Sequence, residues 1–282
     1  MYKRVIWGLL GAILLLAIIM AGGLWFTLAI GALVTLGVLE YCQLLKRQNL
    51  RPQTAIMLFM SLFILVLIYI TAYNSGAAQR GSLQICEQFL ILTVITVFLI
   101  TFISELFRGD PEQGLANAAV NLFGTVYIGI MFAYILMLRF IPGKDGLFYV
   151  LFTFLVTWSN DTAAYFVGVN FGKHKLSPRI SPNKSVEGSI GGFLGGILVA
   201  VLLGIYFQKP FSLMLILGIL VVVAGQIGDL IESIIKRNAG VKDSGSFLPG
   251  HGGLLDRFDS LLLSAPVVYY MIIYISPVYK WW

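Results

Sequence analysis

Carboxylates cluster near one segment of the chain, from Ser233 to Asp259, which interrupts an otherwise apolar sequence. Asp229 lies just upstream inside an apolar run, and Asp256 and Asp259 open the next run with i, i+3 spacing. A charged side chain inside a membrane span costs roughly 3 kcal/mol on insertion scales, so such a residue indicates a function and a partner. Mg²⁺ in proteins binds a few carboxylates together with water and phosphate oxygens, which makes these three aspartates candidate metal ligands.

The same segment also carries cations and a glycine-rich turn. The run Pro-Gly-His-Gly-Gly at 249–253 is too rich in glycine and proline to be helical, and it leads directly into the next apolar run. Backbone N–H groups of such a turn, at the start of a helix, favour anions such as phosphate. The surrounding polar side chains are Lys236, Arg237, Lys242, Asp243, His251 and Arg257. The combination indicates a polyphosphate and a divalent metal.

A second polar group precedes this segment. Asp161 lies inside an apolar run, about nine residues from its end, which corresponds to a depth of ~14 Å in a helix. The basic stretch 172–185 follows that run and supplies Lys173, Ser181 and Lys184. A charged stretch is also typical of a solvated surface, so this one is a candidate mainly because Asp161 leads into it.

Some of these features have simpler explanations. Glu232 and Lys236 have the i, i+4 spacing of an ordinary ion pair at a helix end. Gly188, Gly192 and Gly196 recur every four residues in an apolar run, which predicts a small-residue face for close helix packing.

The elements that must position these residues are membrane helices. The chain of 282 residues is 59% hydrophobic and 11% charged, whereas soluble proteins carry roughly 25% charged residues. Its net charge of +6 is better explained by basic loops facing anionic lipids than by a nucleic-acid partner. We therefore predict an all-α, polytopic integral membrane protein. The apolar runs lie at about 5–20, 24–45, 54–73, 84–107, 117–140, 147–170, 189–207, 211–235 and 254–277.

Nine spans would place the two termini on opposite sides of the membrane. Most of the 19 lysines and arginines fall on one side if the N-terminus is cytoplasmic, which is the orientation that the positive-inside rule favours. The sequence then divides into N-terminal transmembrane helices at 1–115 and a catalytic transmembrane region at 116–282. The stretches 172–185 and 236–253 become cytoplasmic loops, so the predicted site faces soluble nucleotides.

The run at 233–259, SIIKRNAGVKDSGSFLPGHGGLLDRFD, resembles the signature of the phosphatidate cytidylyltransferases, also called CDP-diacylglycerol synthases. A second stretch, 160–188, is similar to another motif of that family, although many members have Lys and Thr where this chain has Asn183 and Ser185. The similarity is close over about 155–277.

The resemblance implies an enzyme that transfers the cytidylyl group of CTP to phosphatidate, with Mg²⁺. The compact size of the chain and the lack of a targeting sequence fit a bacterial inner membrane. Asp229, Asp243, His251, Asp256, Lys236 and Arg237 are then the expected catalytic residues. Asp161, Lys173, Ser181, Lys184, Lys242 and Arg257 are expected to bind substrate, and Asp229, Asp256 and Asp259 the metal. The sequence leaves open a second cation and the oligomeric state, a homodimer included.

Two other functions compete with this interpretation. A cation-coupled transporter could use Asp161 and Asp229 as an ion relay, but the charges concentrate on one side and no half-repeat is visible. A CDP-alcohol phosphotransferase also uses aspartates and Mg²⁺, but its D-x2-D-G-x2-A-R arrangement is absent from this sequence.

Overall fold

Long apolar runs form helices in a membrane because every backbone N–H and C=O must be satisfied within the segment. A computed structural model describes residues 2–74, 80–245 and 252–275. Its α-helices are α1 Tyr2–Ala21, α2 Gly23–Arg47, α3 Thr54–Asn74, α4 Arg80–Arg108, α5 Gly114–Gly124, α6 Met131–Arg139, α7 Asp145–Phe171, α8 Val186–Tyr206, α9 Phe211–Asn238 and α10 Leu255–Tyr270. The π-helical turn Thr125–Ile130 joins α5 to α6, and a second one, Met271–Ile275, continues α10.

The prediction of an all-α polytopic membrane protein is confirmed, since every predicted apolar run falls on a helix within the described residues. In that part of the chain, seven helical segments are long and apolar enough to cross a membrane. They are α2, α3, α4, the continuous α5–α6 segment, α8, α9 and α10 with its π-helical continuation. The count of nine spans and the cytoplasmic N-terminus stay predictions.

The helices belong to two compact units. The first comprises Met1–Leu147 and Asn238–Asp256, and the second comprises Phe148–Arg237 and Arg257–Trp282, each as far as its residues are described. In the first unit, consecutive helices pack on one another from α2 to α5, and Val34, Val38 and Ile64 are completely buried.

The second unit contains the only strands among the described residues, in the stretch 172–185 that the sequence predicts as a loop. Strand β1, Lys175–Ser177, pairs antiparallel with β2, Ser181–Ser185. Ser185 ends the hairpin and starts α8, because its hydroxyl accepts a hydrogen bond from the Gly188 N–H at 3.1 Å. Serine is a preferred residue for this capping role.

The predicted small-residue face of α8 is confirmed. Gly188, Gly192 and Gly196 are all buried. A side chain on Gly188 would begin 2.8 Å from the Ala164 carbonyl oxygen of α7, which is too close for a carbon atom. The glycines therefore allow α7 and α8 to approach closely, which places Asp161 on α7 beside the start of α8.

We expect Gly192→Ala to destabilise the protein by about 1–3 kcal/mol, the usual cost of overpacking a close helix contact. Its new Cβ would lie 2.7 Å from Asn160 Oδ1 and 2.8 Å from the Asn160 carbonyl oxygen. Thermal unfolding in detergent micelles measures the effect. Gly11→Ala in α1 is the matched control because no atom lies within 4 Å of its Cβ position. Equal melting temperatures for the two variants would contradict the packing interpretation.

Candidate functional site

A cavity of about 620 Å³ lies in the second unit, between α7, the hairpin, the start of α8 and the C-terminal half of α9. Polar side chains concentrate in an otherwise apolar frame at this point. The polar lining residues that matter here are Asp161, Ser181, Asn183, Lys184, Gln226 and Asp229. Four of the residues predicted from the sequence, Asp161, Ser181, Lys184 and Asp229, thus line one cavity.

Three carboxylates and one lysine set the charge of this site. Lys184 on β2 forms an ion pair with Asp229 Oδ2 on α9, and both side chains are about 70% buried, with 28% and 29% of their surface exposed. The negative charge of Asp229 also acts on Asp161 and on Asp259. One lysine facing three acids leaves the group with excess negative charge if all three are ionised, which favours a further cation.

A close approach of α9 and α10 explains why Asp259 belongs to this group. A side chain on Gly228 would begin 2.5 Å from the Asp259 carbonyl oxygen, so only glycine permits the contact. Asp259 is buried, and its Oδ1 accepts a hydrogen bond from the Ser260 N–H at 2.6 Å.

A network of amide side chains fixes Asp161. Asn160 Nδ2 donates to Asp161 Oδ1 at 2.9 Å, and Gln226 Nε2 on α9 donates to Asn160 Oδ1 at 2.9 Å. Gln226 Nε2 also donates to the Ser189 carbonyl oxygen of α8 at 3.0 Å, and the Ser189 hydroxyl donates to Gln226 Oε1. The network joins α7, α8 and α9. Sequence reasoning assigned no role to Gln226 or Ser189, although a polar side chain inside an apolar run is the signal that could have found them.

These residues fit a magnesium ion that arrives with a polyphosphate. Mg²⁺ is usually held by one or two carboxylates plus substrate phosphates and water, and rarely by a complete protein cage. In the described part of the chain, no group of three or more His, Cys, Asp and Glu side chains has the spacing of a ready-made metal site. Asp229, Asp161 and Asp259 nevertheless offer carboxylates within electrostatic reach of one another.

The predicted cations of the second unit do not all line the cavity. Lys236 forms an i, i+4 ion pair with the buried Glu232, as the simpler explanation of these residues predicts. Arg237 Nε donates to the Ile180 carbonyl oxygen at 3.0 Å and so ties the end of α9 to the hairpin turn. Lys173 and Arg257 are exposed.

The rest of the signature segment belongs to the first unit. Asp256 Oδ2 accepts hydrogen bonds from the Gly253 N–H at 2.8 Å, the Ser244 N–H at 3.0 Å and the Ser244 hydroxyl at 3.2 Å. One oxygen of this predicted metal ligand therefore also holds the loop together. Lys242 and Asp243 are exposed in that loop, whereas His251 lies outside the described residues.

Fold and site together define a polytopic membrane protein with an acidic, lysine-containing cavity. Residues 2–275 match the model of the cytidylyltransferase family. The chain is 35% identical over 275 residues to the phosphatidate cytidylyltransferase of Bacillus subtilis (strain 168), which covers 96% of this chain and 97% of the relative. It is 31% identical over 304 residues to that of Synechocystis, which covers 98% of each chain. The Escherichia coli (strain K12) uncharacterized protein YnbB is 33% identical over 269 residues, 94% of this chain and 85% of the relative.

The chain therefore belongs to the cytidylyltransferase family, and its resemblance to the phosphatidate cytidylyltransferases is confirmed. The predicted enzyme class is confirmed with it. Neither the cation-coupled transporter nor the CDP-alcohol phosphotransferase is supported by these comparisons.

We expect Gln226→Met to lower the stability of the second unit by about 1–3 kcal/mol, because the buried Asn160 and the half-buried Ser189 lose their hydrogen bonds to this side chain. Methionine keeps the length and most of the volume of the side chain. Thermal unfolding in detergent measures the change. Asn170→Leu is the control, since its exposed amide donates to the Phe166 carbonyl oxygen of its own helix. A Gln226→Met protein as stable as the control would show that the network does not join the helices.

Proposed function

We propose that this chain transfers the cytidylyl group of CTP to phosphatidate, forming CDP-diacylglycerol and pyrophosphate. An oxygen of the phosphatidate phosphate attacks the α-phosphorus of CTP. The new bond joins these two atoms, and the bond from the α-phosphorus to the bridging oxygen of the β-phosphate breaks. The electron pair leaves with pyrophosphate. The nucleophile is already anionic at neutral pH, so the step requires no strong general base.

The observation that carries the proposal is the acidic cavity of the second unit in a membrane protein of this family. Its lining combines Asp161 and Asp229 with Lys184, beside the buried Asp259, and contains no serine–histidine or cysteine–histidine pair among the described residues. The main obstacle in the reaction is to bring two polyanions together, so catalysis should rest on positioning and charge neutralisation. A cavity with this charge pattern suits that task better than it suits acyl transfer.

The residues of the cavity have distinct proposed roles. Lys184 leaves Asp229 to bind phosphate when nucleotide enters, and Ser181 and Asn183 supply further hydrogen bonds. Asp229 and Asp259, with Asp161 held in place by Asn160, are the carboxylates that would hold Mg²⁺. The ion, when bound, would neutralise the phosphates and polarise the phosphorus. Asp256 stays a proposed metal ligand. The other polar residues predicted from the sequence are proposed to contact or orient phosphates: Lys173, Lys236, Arg237, Lys242, Asp243, His251 and Arg257.

The two proposed substrates also indicate where in the cell the protein acts. Phosphatidate is a lipid and CTP is soluble, so an enzyme for both works at a membrane boundary. We propose that the chain lies in the bacterial plasma membrane with this cavity open to the cytoplasm, as the positive-inside rule predicts for its basic loops. A homodimer is compatible with the proposal and is not required by it.

We expect Asp229→Asn to reduce turnover by at least about 100-fold, since the substitution removes the central negative charge of the site. The assay uses purified protein, phosphatidate and CTP labelled in the α-phosphate, and it measures label entering the lipid. Asp110→Asn is the matched control, because Asp110 is a half-buried acid, 26% exposed, that is also paired with a cation, Arg51, but in the first unit. Wild-type protein that releases no label into lipid would overturn the proposed function.

Removal of divalent metal should abolish turnover, and added Mg²⁺ should restore it. Binding of Mg²⁺ and CTP to the folded state should also raise the melting temperature, with about 2.7 kcal/mol of stabilisation at a ligand concentration of 100 Kd. We expect Asp229→Asn to lose this thermal shift. Full activity in the presence of excess chelator would contradict the metal dependence and leave the transfer reaction itself intact.

A further inference from the structure

A buried glutamate on α2 contacts the signature segment, although the two are more than 200 positions apart in the sequence. Glu40 Oε1 accepts a hydrogen bond from the Leu254 N–H at 2.8 Å, and Oε2 accepts one from the Leu255 N–H at 3.0 Å. Oε2 also accepts the Ser244 hydroxyl at 3.1 Å. Only 7% of the surface of Glu40 is exposed. All of these residues belong to the first unit.

These bonds satisfy the start of α10. The first N–H groups of a helix have no partner inside the helix, and a carboxylate there is also favoured by the helix dipole. Leu255 is the first residue of α10, and Leu254 precedes it. Glu40 therefore caps α10 from another helix, while Asp256 caps it from within by accepting the Gly253 N–H.

The signature glycines leave room for this carboxylate. A side chain on Gly245 would begin 2.6 Å from Glu40 Oε1, and one on Gly253 would begin 2.7 Å from Glu40 Oε2. Gly37, one turn before Glu40 on the same face of α2, lies where a Cβ would meet Leu255 Cδ2 at 3.3 Å. Because Gly37, Gly245 and Gly253 have no side chains, the signature segment can pack closely around the Glu40 carboxylate.

We propose that Glu40 is a positioning residue for the transfer reaction, because it holds the two arms of the signature segment, 242–245 and 252–256, in one arrangement and thereby orients Asp256. This inference rests on the proposed function for its catalytic consequence. Ser244 connects the two acids, since its hydroxyl contacts both Glu40 Oε2 and Asp256 Oδ2. Loss of the Glu40 charge-assisted bonds would release Leu254, Leu255 and Ser244 together.

Glu40→Gln tests the proposal, with Glu105→Gln as the matched control. Glu105 is also buried in the first unit and also bonded, to Gln53 and Arg108, but it has no described hydrogen bond to the signature segment. We expect Glu40→Gln to lower kcat by about 10- to 100-fold, the usual effect of removing a group that orients a metal ligand, with little change in KM for CTP. Glu105→Gln should keep its kcat.

Hydrogen exchange supplies a readout that does not depend on turnover. In protein without nucleotide or metal, the amides of Leu254 and Leu255 should exchange at least about 10-fold faster in Glu40→Gln than in wild type, and should be unchanged in Glu105→Gln. Unchanged exchange together with unchanged kcat in Glu40→Gln would overturn the proposal. So would equal loss of kcat in both variants.

If Glu40→Gln does not fold, Gly245→Ala tests the same contact. It keeps the charge of Glu40 but displaces the carboxylate, so we expect a similar fall in kcat and similarly faster exchange at Leu254 and Leu255. Normal values for both would reject the positioning role. If wild-type protein transfers no label to lipid, the proposed function is wrong, and exchange at these two amides alone then decides whether Glu40 holds the segment.

Discussion

An apolar frame cannot leave a carboxylate without partners, and this requirement shapes much of the structure. Asp161 is bonded by Asn160, Asp229 is paired with Lys184, and Asp259 accepts a backbone N–H. Glu40 accepts three hydrogen bonds although its helix is otherwise strongly apolar. Asp229 and Glu40 therefore depend on a partner from another element, the hairpin for Asp229 and the signature segment for Glu40. Asp161 and Asp259 are bonded by a neighbouring residue of their own helix.

Close contacts between helices bring the acidic residues of the second unit near one another. Gly188 and Gly192 bring α8 against α7, and Gly228 brings α9 against α10. Without a hydrophobic driving force between helices in lipid, such small residues and interhelical hydrogen bonds provide the association. The glycines and the amides of Asn160 and Gln226 thus have one shared effect, which is to fix the distance between the acids of the cavity.

Much of this could be predicted from the sequence. The helices follow from the apolar runs, the glycine spacing of α8 predicts its buried face, and the i, i+4 spacing of Glu232 and Lys236 predicts their pairing. Asp161 and Asp229 were found because charge in an apolar run is conspicuous, and Lys184 because it lies in the basic stretch that follows the run of Asp161. The hairpin at 175–185 was not predicted, since its strands are too short for an alternating pattern to be visible. Glu40 was missed because its partners are more than 200 positions away and nothing local connects them.

The contact of Glu40 with the signature segment also limits which helices of the chain can be exchanged for those of another protein. The N-terminal helices contribute more than a membrane anchor, because α2 supplies the acceptor for the first amides of α10. A chimera that joins the C-terminal half to the leading helices of an unrelated membrane protein would have to provide a carboxylate that reaches the Leu254 and Leu255 amides, together with a helix surface as small as Gly37 beside it.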